Sequence, residues 1–152
     1  MRVLNIGDLR TGDRIRVGNE VLVVIAKLNE DSLLVDSGRI VEFSKVASVY
    51  DLGLDMKFVI ISYPDVEIFR SHGLQVYGFS EVLVGDILID VSGIIGELVT
   101  VAVIDVPRKT AYSQNGEMLL SDSSIYLKTG WRTKATDLLT EDGKYILSKL
   151  YQ

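Results

Sequence analysis

Leu9-Arg10-Thr11-Gly12-Asp13-Arg14-Ile15, followed by Glu20-Val21-Leu22-Val23-Val24, returns later in the chain as Val82-Leu83-Val84-Gly85-Asp86-Ile87-Leu88, followed by Glu97-Leu98-Val99-Thr100-Val101. In each copy an apolar residue precedes a Gly-Asp pair and a short apolar run, and a longer β-branched run comes after. Gly reaches the left-handed conformation that tips a loop into a new strand, and the Asp carboxylate can accept backbone N–H groups at that corner. Gly12, Asp13, Gly85 and Asp86 are therefore read as a structural turn motif used twice. Weaker echoes continue the repeat, Ser37-Gly38 with Asn115-Gly116 and Phe43-Ser44 with Leu120-Ser121. A single compact domain over 1–152 is expected, made of two related halves, 1–62 and 65–152. A third, poorer echo, Leu138-Leu139-Thr140-Glu141-Asp142, carries Glu in place of Gly.

Outward from the repeat, the apolar residues keep recurring in strand-length runs: Val21–Ala26, Ser32–Val35, Arg39–Phe43, Lys57–Ile61, Gly85–Asp90 and Glu97–Ile104. β-Branched and aromatic side chains fill them, and Gly, Asn, Asp and Ser separate them at intervals of roughly ten residues, the pattern of hairpins in a sandwich or barrel. An all-β fold is expected, a duplicated small barrel or a related β fold with pseudo-twofold symmetry. Helix is expected at most in short pieces near the C-terminus, over 133–139 and 144–151. Pro64, in Ser62-Tyr63-Pro64-Asp65, is expected to end strand pairing and turn the chain.

A chain of 152 residues with 47% hydrophobic and 24% charged residues can bury a core unaided. Its formal net charge is -5, and the basic residues stand singly, without a stripe. Nonspecific affinity for nucleic acid comes from clustered Lys and Arg, so no nucleic-acid partner is expected. The most basic stretch, Lys128-Thr129-Gly130-Trp131-Arg132-Thr133-Lys134, reads as a solvated rim beside a buried Trp; Trp131 and Arg132 are its candidates for partner contact. There is no cysteine, which removes disulfides and thiolate chemistry and fits a reducing cytoplasm. The first residues carry no apolar leader and no apolar run approaches the ~20 residues of a membrane span, so no membrane association is expected.

Gly116-Glu117-Met118-Leu119-Leu120-Ser121 and Thr129-Gly130-Trp131-Arg132-Thr133-Lys134-Ala135-Thr136-Asp137-Leu138, taken with the Leu-x-x-Gly-Asp-x-Ile element, resemble the Hint fold of hedgehog and intein proteins. That family places Asp-Gly-x-x-Ile-x-x-Thr-x-x-His before a Gly-Trp-x-x-Ala-x-x-Leu stretch. Val49-Tyr50-Asp51-Leu52 with Lys57-Phe58-Val59 is similar to strands that close inteins, but precedes the other blocks. The resemblance implies a circularly permuted order, with 3–61 like the family's C-terminal half and 65–138 like its N-terminal half. A plain tandem of two small barrels accounts for the repeat equally well.

The family's splicing chemistry needs a Cys or Ser at the first position, a Thr-x-x-His pair and a terminal His-Asn. Here the first position falls near Pro64 and Asp65, the Thr-x-x-His slot reads Ser121-Asp122-Ser123-Ser124, and Ile61-Ser62 lacks His-Asn. The resemblance thus implies an inert scaffold. His72, the one histidine, sits beside Gly73 and reads as a turn residue, and a metal site would need partners absent from its surroundings. No Gly-x-Ser-x-Gly elbow and no phosphate-cradling glycine loop appears. No catalytic residue, metal or cofactor is therefore expected. The alternative, a degenerate autoprocessing domain or small hydrolase, would draw on Ser121, Ser124, Asp86 and His72.

Mean hydropathy of +0.26 is high for a soluble β domain and suits strands buried on both faces or subunit contacts. The expectation is a non-catalytic structural or interaction module, with protein partners or self-association, in the cytoplasm. For a viral chain that would mean the host cytoplasm and then a virion.

Overall fold

A computed structural model of the chain describes residues 5–50, 58–61, 63–121, 124–134 and 137–151. Asp51, Leu52 and Lys57 of the intein-like block, Ser62, Ser123 and Ala135 lie outside the described residues. The fold is all-β, with two short α-helices among the described residues. The first sheet comprises β1 (Arg14–Val17), β2 (Glu20–Lys27), β3 (Ser32–Val35), β4 (Ile40–Glu42) and β5 (Val46–Tyr50), in the order β4-β3-β2-β1-β5. β6 (Phe58–Ile60) and helix α1 (Tyr63–Ser71) lead into the second sheet. That sheet is built from β7 (Gln75–Val76), β8 (Asp86–Asp90), β9 (Ile95–Asp105), β10 (Thr110–Ser113), β11 (Met118–Leu119) and β12 (Tyr126–Arg132), in the order β11-β10-β9-β8-β12-β7, and β6 pairs with β9. Helix α2 (Glu141–Leu150) closes the described chain.

The sequence repeat is a repeat of strand pairing. A four-strand meander is followed by a fifth strand that returns to the first in both sheets, all pairs antiparallel. The shared register extends to an irregularity: β2 against β3 passes from Val24↔Val35 to Ala26↔Leu34, skipping Ile25, and β9 against β10 passes from Val101↔Ser113 to Val103↔Tyr112, skipping Ala102. A bulge bends its strand and re-aims the extra side chain. Among the described residues β2 pairs only with β1 and β3, and β9 with β8, β10 and β6, so neither meander exchanges a strand with the other. β6, which the division at residue 62 groups with the first half, adds to the second sheet through Val59↔Gly96.

Three apolar clusters follow from this layout. Ile15, Leu22, Val24, Leu33, Val35 and Val41 form the core of the first sheet, and Leu88, Val101, Ala111 and Leu119, at matching places, that of the second. The third lies between the sheets, where Ile25, Ala26 and Leu34 meet Val59, Val66, Phe69, Ile89 and Leu127. Leu33, Leu34 and Val35 are consecutive and all fully buried, so β3 packs on both faces, as the high mean hydropathy suggests. Ile25, released by the bulge, points to the inter-sheet cluster.

Helix is not confined to the C-terminus, which corrects that expectation: strand pairing ends at Ile60, ahead of Pro64, and the chain then enters α1. Pro64 stands in the first turn of α1, where its missing N–H costs nothing. Val66 and Phe69, three apart, bury against the inter-sheet cluster. Gly73, at φ +72°, ends α1: its N–H bonds Arg70 O, and Leu74 N bonds Phe69 O, the paired bonds of a Schellman cap. The helix expected over 133–139 is absent from the described residues there, 133–134 and 137–139. In its place Thr140 caps α2, its Oγ1 accepting from Gly143 N at 3.0 Å, so the Glu141-Asp142 of the third echo opens a helix and not a strand.

Candidate functional site

The two Gly-Asp corners are superimposable in chemistry. Gly12 and Gly85 both have φ +96°. Asp13 Oδ2 accepts from Arg10 N at 2.8 Å, and Asp86 Oδ2 accepts from Leu83 N at 2.9 Å. Gly12 N donates to Val24 O at 2.8 Å and Gly85 N to Val101 O at 2.7 Å, stitching each corner to the second strand of its own meander. A 3₁₀ turn precedes each corner, Ile6–Asp8 and Phe79–Glu81. These carboxylates are spent on backbone geometry.

The Gly-Trp pair has a different task. β12 runs beside β8 from Tyr126↔Asp90 to Lys128↔Leu88, then resumes at Arg132↔Asp86, so Thr129-Gly130-Trp131 bulges away from its partner strand. Thr129 Oγ1 holds the bulge, donating to Ile87 O at 2.8 Å and accepting from Trp131 N at 3.2 Å. Gly130, at φ +85°, lies so close to β2 that a Cβ there would stand 2.1 Å from Lys27 O. The indole of Trp131 then enters the core of the first sheet, beside Ile15, Val24 and Leu33, and is 6% exposed. Of the two residues singled out for partner contact, only Arg132 is at the surface, and its Nε donates to Val84 O at 3.0 Å. A shallow cleft of about 310 Å³ lies between them, Glu81 and Lys128.

Of the groups of the hydrolase alternative, only the two serines are seen in contact with one another among the described residues. His72 is the exposed C-cap residue of α1, and Asp86 serves its corner. Ser121 Oγ and Ser124 Oγ are 2.9 Å apart, and Ser124 N donates to Ser121 O. Among the described residues no three His, Asp or Glu side chains gather as a metal site, and no helix is long and apolar enough to cross a membrane.

A second cleft was not legible in the sequence. It is a cleft of about 560 Å³ between α1 and the β8–β9 hairpin, walled by Ile61, Val66, Val91, Ile94 and Ile125, with Arg70 beside them. Ile94 is 80% exposed and its neighbour Ile95 58%. From the Gly-Asp corner to its bonded residue on the next strand this hairpin is four residues longer than its β1–β2 counterpart, Gly85 to Val101 against Gly12 to Val24, and its turn is Val91-Ser92-Gly93-Ile94 where the other has Gly18-Asn19. The only prior signal was two adjacent isoleucines in a turn, where polar residues are the rule.

One further polar cluster fixes the end of α2. Tyr151 donates its hydroxyl proton to the Asp105 carboxylate, Arg108 N donates to Asp105 Oδ1 at 3.1 Å, and the Arg108 guanidinium lies 4.6 Å from the centre of the Tyr151 ring. The Tyr151 hydrogen bond, assisted by Arg108, holds the Asp105 carboxyl below its usual range, and the same bond leads in pushing the Tyr151 phenol up to about 12. A lowered acid pKa stabilises above the ordinary carboxylate range, near 4, and that share is lost as pH falls below this range through the lowered folded value. A raised phenol pKa stabilises below about 10 and is lost as pH rises through the folded value. The last turn of α2 is thus expected to loosen at both extremes, and hydrogen exchange of its amides against pH checks this. Tyr151→Phe should flatten both limbs; unchanged limbs would remove the bond from the account.

No protein-family model matches the chain, and no curated protein or solved structure matches it at a significant level.

Proposed function

We propose that this chain is a non-catalytic β module that works by protein contact, a subunit of a larger assembly such as a phage virion, with no nucleic-acid or membrane partner. The observation that carries the reading is the β8–β9 hairpin. It lifts Ile94 and Ile95 into solvent at the rim of an apolar cleft, where burial against another protein surface would stabilise by roughly 25 cal/mol per Å² removed from water. Monomeric proteins seldom leave such a surface uncovered without a use for it. The duplicated meander supports the same reading, since two related sheets locked together make a rigid support for one projecting hairpin. A Hint-type ancestry belongs to this proposal in its inert form, with Ser121 and Ser124 as turn residues and not as processing groups.

Light scattering over a concentration series tests it. The expected result is a mass above that of the monomer, returning to the monomer in Ile94→Asp with no change in thermal stability. A strict monomer at every concentration, or an oligomer that Ile94→Asp leaves intact, would count against assembly through the hairpin.

A further inference from the structure

We infer that the cleft between α1 and the β8–β9 hairpin is a binding site for an aliphatic carboxylate, with the chain in the apolar trough and the carboxylate on Arg70. Its volume of about 560 Å³ falls within the range of small-molecule sites, and its walls are aliphatic, from Ile61 just after β6, Val66 of α1, Val91 and Ile94 of the hairpin turn and Ile125 just before β12. A trough of this kind excludes water and rewards an apolar body of matching length, but it does not orient one. Orientation comes from Arg70.

The guanidinium carries five donors in a planar fork. Glu67, one turn back on α1, takes Nη1. Nε is buried and has no acceptor among the described residues, although the side chain as a whole is 28% exposed. A buried donor left unsatisfied is destabilising, so the site retains an uncompensated demand for an acceptor. The edge of the fork formed by Nε and Nη2 is one that receives a carboxylate through two parallel bonds, and it is the edge Glu67 leaves alone. Nearby polar groups do not meet this demand. Ser92 Oγ donates to Asp90 Oδ1 at 2.6 Å and accepts from Ile125 N at 3.1 Å, so both are committed to the hairpin. A neutral amphiphile would fill the trough and leave Nε unmet, whereas a carboxylate satisfies both features at once.

The same chemistry has two sources, a free aliphatic acid or the C-terminal residue of a polypeptide ending in a large aliphatic side chain. The inference shares its hairpin with the assembly reading but does not depend on it, because a monomer can bind the ligand and an oligomer can fail to.

Titration of the intact chain with decanoate, decanol and a short peptide ending in leucine, as its free acid and as its amide, followed by methyl chemical shifts, tests this. Saturable shifts of Ile61, Val66, Val91 and Ile125 with decanoate or the peptide acid are expected. Arg70→Met should weaken them at least about tenfold, and decanol and the peptide amide should be weaker by a similar factor. Decanoate binding alone identifies a free acid as the source, and peptide-acid binding identifies a chain terminus. Ile125→Trp, which fills the trough, should abolish both with the fold retained. The inference is overturned if neither acid binds, if decanol or the amide binds as tightly, or if Arg70→Met, shown folded by its spectrum, binds undiminished.

Discussion

Trp131→Ala is expected to lower stability by about 3–5 kcal/mol, the usual cost of truncating a buried aromatic side chain, and to do so mainly in the first sheet. The residue belongs to β12, but its ring sits among Ile15, Leu22, Val24, Leu33 and Val41. Removal leaves a cavity in a core whose other buried members come from residues 6–41, and the strands there are held in register by β1 and β3 and cannot readily close it. Denaturant unfolding gives the total, and native-state hydrogen exchange locates it. Protection should fall in β1–β4 before β8–β10. Loss confined to the second sheet, or a total below about 1 kcal/mol, would contradict the packing described. Trp131→Phe should cost less than its lost volume suggests, because Nε1 is buried with no acceptor among the described residues and phenylalanine removes that unmet donor.

Gly130→Ala should be of similar or larger size for a different reason. At φ +85° any L side chain carries a conformational penalty of about 1–2 kcal/mol. The added methyl would also stand 2.1 Å from Lys27 O, and backbone cannot step aside as a flexible side chain can. Relief requires the bulge to lift off β2, which withdraws Trp131 from its core. The two substitutions therefore act on one contact and should not add: the double variant should lie close to the worse single one. Gly18→Ala is the control, since φ +60° brings the conformational cost while nothing lies within 4 Å. If Gly130→Ala proves no worse than Gly18→Ala, the close approach to Lys27 is not what holds the sheets together.

The duplicated strand pattern was readable because period-two apolar runs and Gly-Asp corners are local signals, written in adjacent residues. The strands at β2, β3, β8 and β9 followed from them directly. Helix α1 was not readable for the same reason: Val66 and Phe69, with Ile68 beside them, are too short a run to mark an inward face, and Pro64 suggests a break wherever its helical position is unknown. The tail helix was expected from Lys144 but starts at Glu141, because a Thr cap three residues ahead of a glycine gives a weak start signal. Trp131 drew attention as an aromatic beside basic residues, yet its destination depends on a bulge in β12 and on a strand more than a hundred positions earlier. The cleft is the extreme case. Ile61, Val66, Arg70, Val91, Ile94 and Ile125 share no motif and meet only through the folded chain.

The placement of Trp131 also bears on how the protein is made. A ribosome delivers the strands of the first sheet early, but the ring that completes their core arrives only after most of the second sheet has emerged. Until then the first sheet carries an unfilled hollow and an exposed apolar lining, and its contacts with β12 are of long sequence separation, the kind that form slowly. The amino-terminal portion should therefore wait in a loosely packed state and consolidate in one late step, when the carboxy-terminal portion docks. A molecule built from two copies of one motif would in this way mature as a single unit, with its second copy acting as the stopper for its first.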